Sequence, residues 1–164
     1  MQSADAAVVA QLELMLDAWA PRMTRIFGAV SVVGLVGTLL IARYWHAMLD
    51  NPGGFGREFR RLRLGTSAMG ASVVVGIASW TIGADSQFAS DLMGPLSAML
   101  AFQGLAVMHF FAHARKISAA WLVAMYGLLV VLPHLALPFL AINGLVDGLT
   151  NLRARAAGNE SEED

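Results

Sequence analysis

Apolar positions in this chain fall in long unbroken runs, not in the alternation of a strand or the one-sided stripe of a soluble helix. Four runs lie between formal charges, over residues 26–42, 64–84, 92–114 and 117–146. A helix rises about 1.5 Å per residue, so about 20 apolar residues cover the hydrocarbon core of a bilayer. The runs are of membrane scale and predict transmembrane helices. The last spans 30 residues. That is too long for one untilted helix and too short for two full spans. Pro133 divides it, because proline lacks an N–H and disfavours helix in the residue before it. The pattern predicts a tight hairpin of residues 117–132 and 134–152. One helix kinked at Pro133, and again near Pro138, is the alternative. Upstream, Val8, Val9, Leu12, Met15, Leu16 and Trp19 recur at helical spacing, with Asp5, Glu13 and Asp17 elsewhere. This predicts an amphipathic helix over residues 5–20, lying flat on the outer surface and ended by Pro21.

Charge gives the orientation. Arg43, Arg57, Arg60, Arg61 and Arg63 fall in one loop, Arg115 and Lys116 in a short link, Arg153 and Arg155 in the tail, and the link around Asp85 has no cation. The positive-inside rule puts the three basic segments on the cytoplasmic side and Asp85 outside. Two crossings are then required between Lys116 and Arg153, which supports the hairpin. The expected protein has about five spans, with its N-terminus outside and its C-terminus in the cytoplasm. Arg22 and Arg25 depart from the rule.

Composition agrees. The 164 residues are 57% hydrophobic and 14% charged, with no cysteine; a soluble domain holds about 45–50% apolar and about 25% charged residues. Soluble, disordered, disulfide-stapled and zinc-ribbon classes are excluded. The fold class is all-α: a polytopic transmembrane helix bundle with an N-terminal interfacial helix. A single transmembrane domain covers residues 1–155, and an acidic disordered tail covers 156–164.

Small residues crowd the first two spans, with Gly34–Thr38 and Ser72–Gly76 at the four-residue spacing that lets helix backbones approach in lipid. Close packing is the expected role, a backbone-lined groove the alternative. In the third span, Asp91 and His109 lie five helical turns apart at one angle, with His113 a turn beyond. The His pair has metal-ligand spacing but no third ligand, so no metal is expected and hydrogen-bonded histidines are. Gln103, off that stripe, is expected to bond across to another helix. In the fifth span Asn143, Asp147 and Asn151 form a polar stripe flanked by Pro138, Gly144 and Gly148. A charge inside a span is costly and marks either an ion pair or a site. Asp147 either pairs with Arg115, Lys116 or Arg153, or contacts a ligand. Asp147, Asn143, Gln103 and His109 are the candidate ligand-binding residues.

The loop after the first span couples a turn cluster, Asn51-Pro52-Gly53-Gly54, to Arg57, Arg60, Arg61 and Arg63, with Phe55, Phe59 and Leu62 interleaved. This predicts an interfacial elbow for anionic lipid or a cytoplasmic or membrane partner, a second copy included. Nucleic acid is not expected at a net charge of −1. No nucleophile–base pair, redox dithiol or nucleotide fingerprint is present, so neither enzymatic chemistry nor a cofactor is expected.

Two stretches resemble a known family. One is Arg43-Tyr44-Trp45-His46 with Asn51 through Phe59 and Leu62-Arg63-Leu64. The other is Gln103-Gly104-Leu105-Ala106-Val107-Met108-His109 with Gly144-Leu145-Val146-Asp147 and Arg153. Together they resemble the YybS-like family of bacterial membrane proteins of unknown function. The resemblance implies that the chain corresponds to the C-terminal part of a longer architecture. By that family's loose grouping with substrate-binding subunits of energy-coupling-factor transporters, it also implies a small-molecule-binding or transport subunit. The alternative is a structural or assembly protein whose polar residues only hold helices together.

Overall fold

The computed structural model describes residues 2–81 and 87–160. Seven helices account for nearly all of them: α1 (Gln2–Asp50), α2 (Gly54–Arg60), α3 (Thr66–Thr81), α4 (Gln87–Ala114), α5 (Ala119–Val131), α6 (Pro133–Thr150) and α7 (Leu152–Glu160). Among the described residues there is no strand. The Asp85 link and residues 161–164 lie outside the described residues, so the expected exterior position of that link has no structural counterpart. α7 carries the helix through residue 160, into the segment expected to be a tail.

α1 corrects one expectation. Its 49 residues run through Pro21 without a break. Proline deletes one backbone hydrogen bond and crowds the preceding turn, a cost of about 3 kcal/mol. The apolar residues on both sides propagate helix strongly enough for the turn to persist. At about 1.5 Å per residue the helix is about 74 Å long, more than twice the hydrocarbon thickness. Apolar length and composition alone allow two helices, α1 from Ala6 to Asp50 and α4, to cross a membrane. α3, α5 and α6, with 16, 13 and 18 residues, reach about 24, 20 and 27 Å.

α4 is the hub. α1, α3 and α6 all pack on it, and it carries most of the buried apolar residues, Ala98, Leu100, Ala101, Ala106 and Val107 among them. The direction of each neighbour follows from contacts. Gly28 of α1 faces Pro95, and Arg43, near the end of α1, binds Glu58 of α2, whose Phe59 meets His109; α1 and α4 are parallel. Leu64, just before α3, bonds to Gln103, while Met69 further along packs on Leu100; α3 is antiparallel. Leu137 shares a cavity with Met93, and Asp147 bonds to Gln103; α6 is parallel. A chain that leaves α4 and returns parallel to it must reverse twice, with a segment between that runs back along the bundle. α5, broken from α6 at Pro133, is that segment.

Glycine permits the closest approach. A methyl group at Gly104 would collide with the Leu140 carbonyl oxygen, and one at Gly144 with the Leu100 carbonyl oxygen. The backbones of α4 and α6 therefore touch through two reciprocal glycines. Gly34 and Gly76, expected at such contacts, face open space: a methyl group on either would meet nothing within 4 Å. α1 turns its Gly34 face outward, whereas in α3 Ser72 is buried and Gly76 half-buried without a close neighbour.

Candidate functional site

Asp147 of α6 is completely buried. Four turns of helix bring it level with Gln103 of α4, and the chain then folds back on itself. Asn151 adopts the left-handed conformation (φ 53°, ψ 46°) as the C-cap of α6, one that Asn tolerates better than most residues. The reversal starts α7 at Leu152 and aims Arg153 back at Asp147. The guanidinium Nη2 donates to Oδ2 at 2.8 Å and Nε donates at 3.1–3.2 Å to both oxygens. Gln103 Nε2 donates to the Gly144 carbonyl at 2.9 Å and to Asp147 Oδ2 at 3.2 Å.

The remaining donors reach the linker between α2 and α3. Arg153 Nη1 donates to the Arg60 carbonyl at 2.6 Å and Nη2 to the Leu62 carbonyl at 2.9 Å. The Leu64 amide donates to Gln103 Oε1 at 2.8 Å. Arg63 in turn donates to the Asn151 side chain. Residues 60–64 are non-helical over most of their length, so their backbone groups need partners from elsewhere. The Arg153 guanidinium and the Gln103 amide supply them, and the Asp147 carboxylate holds both side chains. The cluster ties α2, α3, α4, α6 and α7 together at one end of the bundle, and each buried charge is compensated.

The other candidates go elsewhere. Asn143 Nδ2 donates to Phe139 O of its own helix at 2.8 Å. His109 Nδ1 lies 2.8 Å from the Leu105 carbonyl; a carbonyl only accepts, so Nδ1 carries the proton and Nε2 faces the Tyr126 hydroxyl at 3.4 Å. The ring also closes an aromatic chain, Tyr44–Phe55–Phe59–His109–Tyr126, with centroids 5.2–5.9 Å apart. Of the four candidate ligand residues, then, the structure joins Asp147 and Gln103 and separates Asn143 and His109 from them. Asp91, on the His109 stripe, sits at the opposite end of α4 with a buried Oδ1 that has no hydrogen-bond partner among the described residues. Among the described residues no group of three or more His, Cys, Asp or Glu side chains could hold a metal ion.

The four elbow arginines divide as well. Arg57 bonds to the Asn51 side chain at 3.1 Å and Arg63 to Asn151. Arg60 and Arg61 line a cavity with His113. Glu58 is held by Arg43, with Nε donating to Oε2 at 2.6 Å; that hydrogen bond keeps the Glu58 carboxyl below the usual carboxylate range. Sequence reasoning could name Arg153 among three possible partners for Asp147, but not the carbonyls of Arg60 and Leu62, since backbone acceptors carry no residue signature. It also missed Tyr126 beside His109. The spacing of Phe55 and Phe59 was the available hint of an aromatic face.

A separate apolar cavity of about 580 Å³ opens between α1, α4 and α6, lined by Ile26, Val30, Met93, Leu137, Pro138 and Ile142 among others. None of the four candidate ligand residues lines it.

No curated protein and no solved structure matches this chain. One family model does, over residues 6–148, which include the elbow, Gln103 and Asp147. The chain belongs to the family described as "Predicted membrane protein (DUF2232)".

Proposed function

We propose that this chain is a non-enzymatic, multi-pass structural or assembly protein of the bacterial inner membrane, a YybS-like member of its family. It crosses the bilayer five times and keeps its C-terminus in the cytoplasm. The observation that carries this reading is the full burial of Asp147 with every partner supplied by the chain itself. A carboxylate that met a substrate would leave an oxygen facing a cavity. This one fixes the elbow backbone through Arg153 and so presents a rigid basic surface at the end where Arg57, Arg60, His113 and Lys116 also lie. The gathering of these basic segments at one end supports the cytoplasmic assignment. The parallel course of α4 and α6 supports two crossings after Lys116.

A second reading, a small-molecule-binding or transport subunit of the energy-coupling-factor kind, draws support from the apolar cavity between α1, α4 and α6. Its lining fits an apolar ligand.

Asp147→Asn separates the two. The structural reading expects a markedly lower unfolding temperature in detergent and the same bound molecules in native mass spectrometry as the wild type. Unchanged stability in this variant overturns it, and loss of a co-purifying apolar molecule from Val30→Phe, which fills the cavity, favours the second reading.

A further inference from the structure

Two cavities flank Arg60. One, of about 480 Å³, is lined by Arg60, His109, His113, Lys116, Ile117 and Leu122, with Ala112 and Ala119. The other, of about 180 Å³, is lined by Arg57, Arg60, Arg61, Phe110, His113 and Ala114. Arg60 and His113 belong to both. Four permanent cations and two imidazoles therefore converge from α2 and from the end of α4, and among the described residues no carboxylate lines either cavity. Glu58, the acid on α2, is turned to the other side and taken by Arg43. Among the described residues none of Arg57, Arg60, Arg61 and Lys116 has a salt bridge.

Such a concentration of like charge repels itself unless an anion enters it. The fold nevertheless holds it in place at two points. The Arg60 carbonyl is fixed by Arg153 Nη1 at 2.6 Å. Lys116 occupies the left-handed position (φ 51°) that ends α4, where its amide donates to His113 O at 3.2 Å and the Ile117 amide to Ala112 O at 2.9 Å. Glycine is the usual residue at that position, because a side chain there is strained. A lysine in place of glycine puts a charge at the lip of the larger cavity, against the local backbone preference.

The rest of the lining says which anion. Ile117, Leu122, Ala112 and Ala119 give the larger cavity an apolar wall beside its cations, and Trp121 and Val123 on α5 are exposed just beyond. A free phosphate ion would leave that wall unused. A phosphodiester with acyl chains would cover it. We propose that Arg60, His113 and Lys116, with Arg57 and Arg61, form a built site for the phosphodiester headgroup of an anionic phospholipid, whose chains run down α5. The proposal rests on the membrane reading above.

The test is native mass spectrometry and thermal unfolding of the full chain, extracted in neutral detergent and titrated with phosphatidylglycerol, phosphatidylcholine or inorganic phosphate. The expected result is retention and thermal stabilisation by phosphatidylglycerol, at least tenfold over phosphatidylcholine. The Arg60→Gln variant loses that preference, and Arg155→Gln, outside both cavities, keeps it. Lys116→Gly guards against a folding artefact: it removes the charge and relieves the left-handed strain, so it unfolds at an equal or higher temperature yet retains less phosphatidylglycerol. Equal loss in Arg155→Gln overturns the site in favour of diffuse charge. Stabilisation by millimolar phosphate as large as that by the lipid overturns the lipid assignment in favour of a free anion. Full retention in Lys116→Gly overturns the role of the lysine. A chain that is monodisperse without any detergent would instead fail the membrane reading on which the site stands.

Discussion

Arg153 lies across Asp147 with Nη2 at 2.8 Å from Oδ2, and the two side chains keep only 8% and 0% of their surface exposed. They are six residues apart in sequence, yet they are not neighbours on one helix. The left-handed Asn151 between them turns the chain so that a cation on α7 faces an anion on α6. Two further guanidinium protons go to the Arg60 and Leu62 carbonyls.

Breaking one side of this pair leaves a buried charge without compensation. Arg153→Met is expected to destabilise the bundle by about 3–5 kcal/mol. Asp147→Leu combined with Arg153→Met removes both charges and is expected to recover most of that loss, leaving mainly the unpaired linker carbonyls. Thermal unfolding of the single and double variants in one detergent measures the difference. A double variant as unstable as the sum of the two singles would show that the residues act independently.

The glycines divide into two classes that a sequence does not distinguish. Gly104→Ala and Gly144→Ala each push a methyl group into a facing carbonyl oxygen, and each is expected to cost about 1–3 kcal/mol as α4 and α6 separate. Gly34→Ala and Gly76→Ala meet open space and are expected to change stability by less than about 0.5 kcal/mol. The same unfolding assay reads all four. Equal effects in both classes would contradict the α4–α6 contact.

Glu58 gives the elbow a pH dependence of definite sign. Its carboxyl titrates below the ordinary range because Arg43 hydrogen-bonds the charged form. The pair therefore contributes to stability in full above the unfolded carboxylate value of about 4.3. That contribution is lost as pH falls through the lower folded value. Both side chains are nearly half exposed, so the contribution is small and screened by salt. Hydrogen exchange in α2, corrected for its intrinsic rate, is expected to accelerate on acidification in the wild type and to lose that extra acceleration in Glu58→Gln.

Topology can be read without background labelling, because the chain contains no cysteine. Single cysteines at Gly56 and Lys116 are expected to react with an impermeant maleimide only after the cytoplasmic face is opened. One at Gln87, the start of α4, is expected to react in intact cells. Labelling of Gly56→Cys from the exterior would invert the orientation proposed above.

Much of the bundle was legible as one-dimensional pattern. Long charge-free runs need no partner to declare themselves as helices, since the energetic demand of a membrane acts on each segment alone. Pro133 marked the break between α5 and α6 for an equally local reason, its missing N–H. Pro21 carries the same local signal, yet α1 runs through it. A proline sets a cost, and the residues around it decide whether the helix accepts that cost. The sequence also offered an ion pair as one of two roles for Asp147, a ligand contact being the other.

What it could not show is which cation would come, because Arg115, Lys116 and Arg153 carry the same charge and nothing local ranks them. That choice was made by one backbone conformation at Asn151 and by linker carbonyls that look alike in every residue. The small residues teach the same lesson. Gly34 and Gly104 are identical in type, but only Gly104 faces another backbone. Local physics determined that helices form and roughly where they stop. Which face of each helix meets another depends on contacts between distant segments, and those exist only once the bundle has assembled.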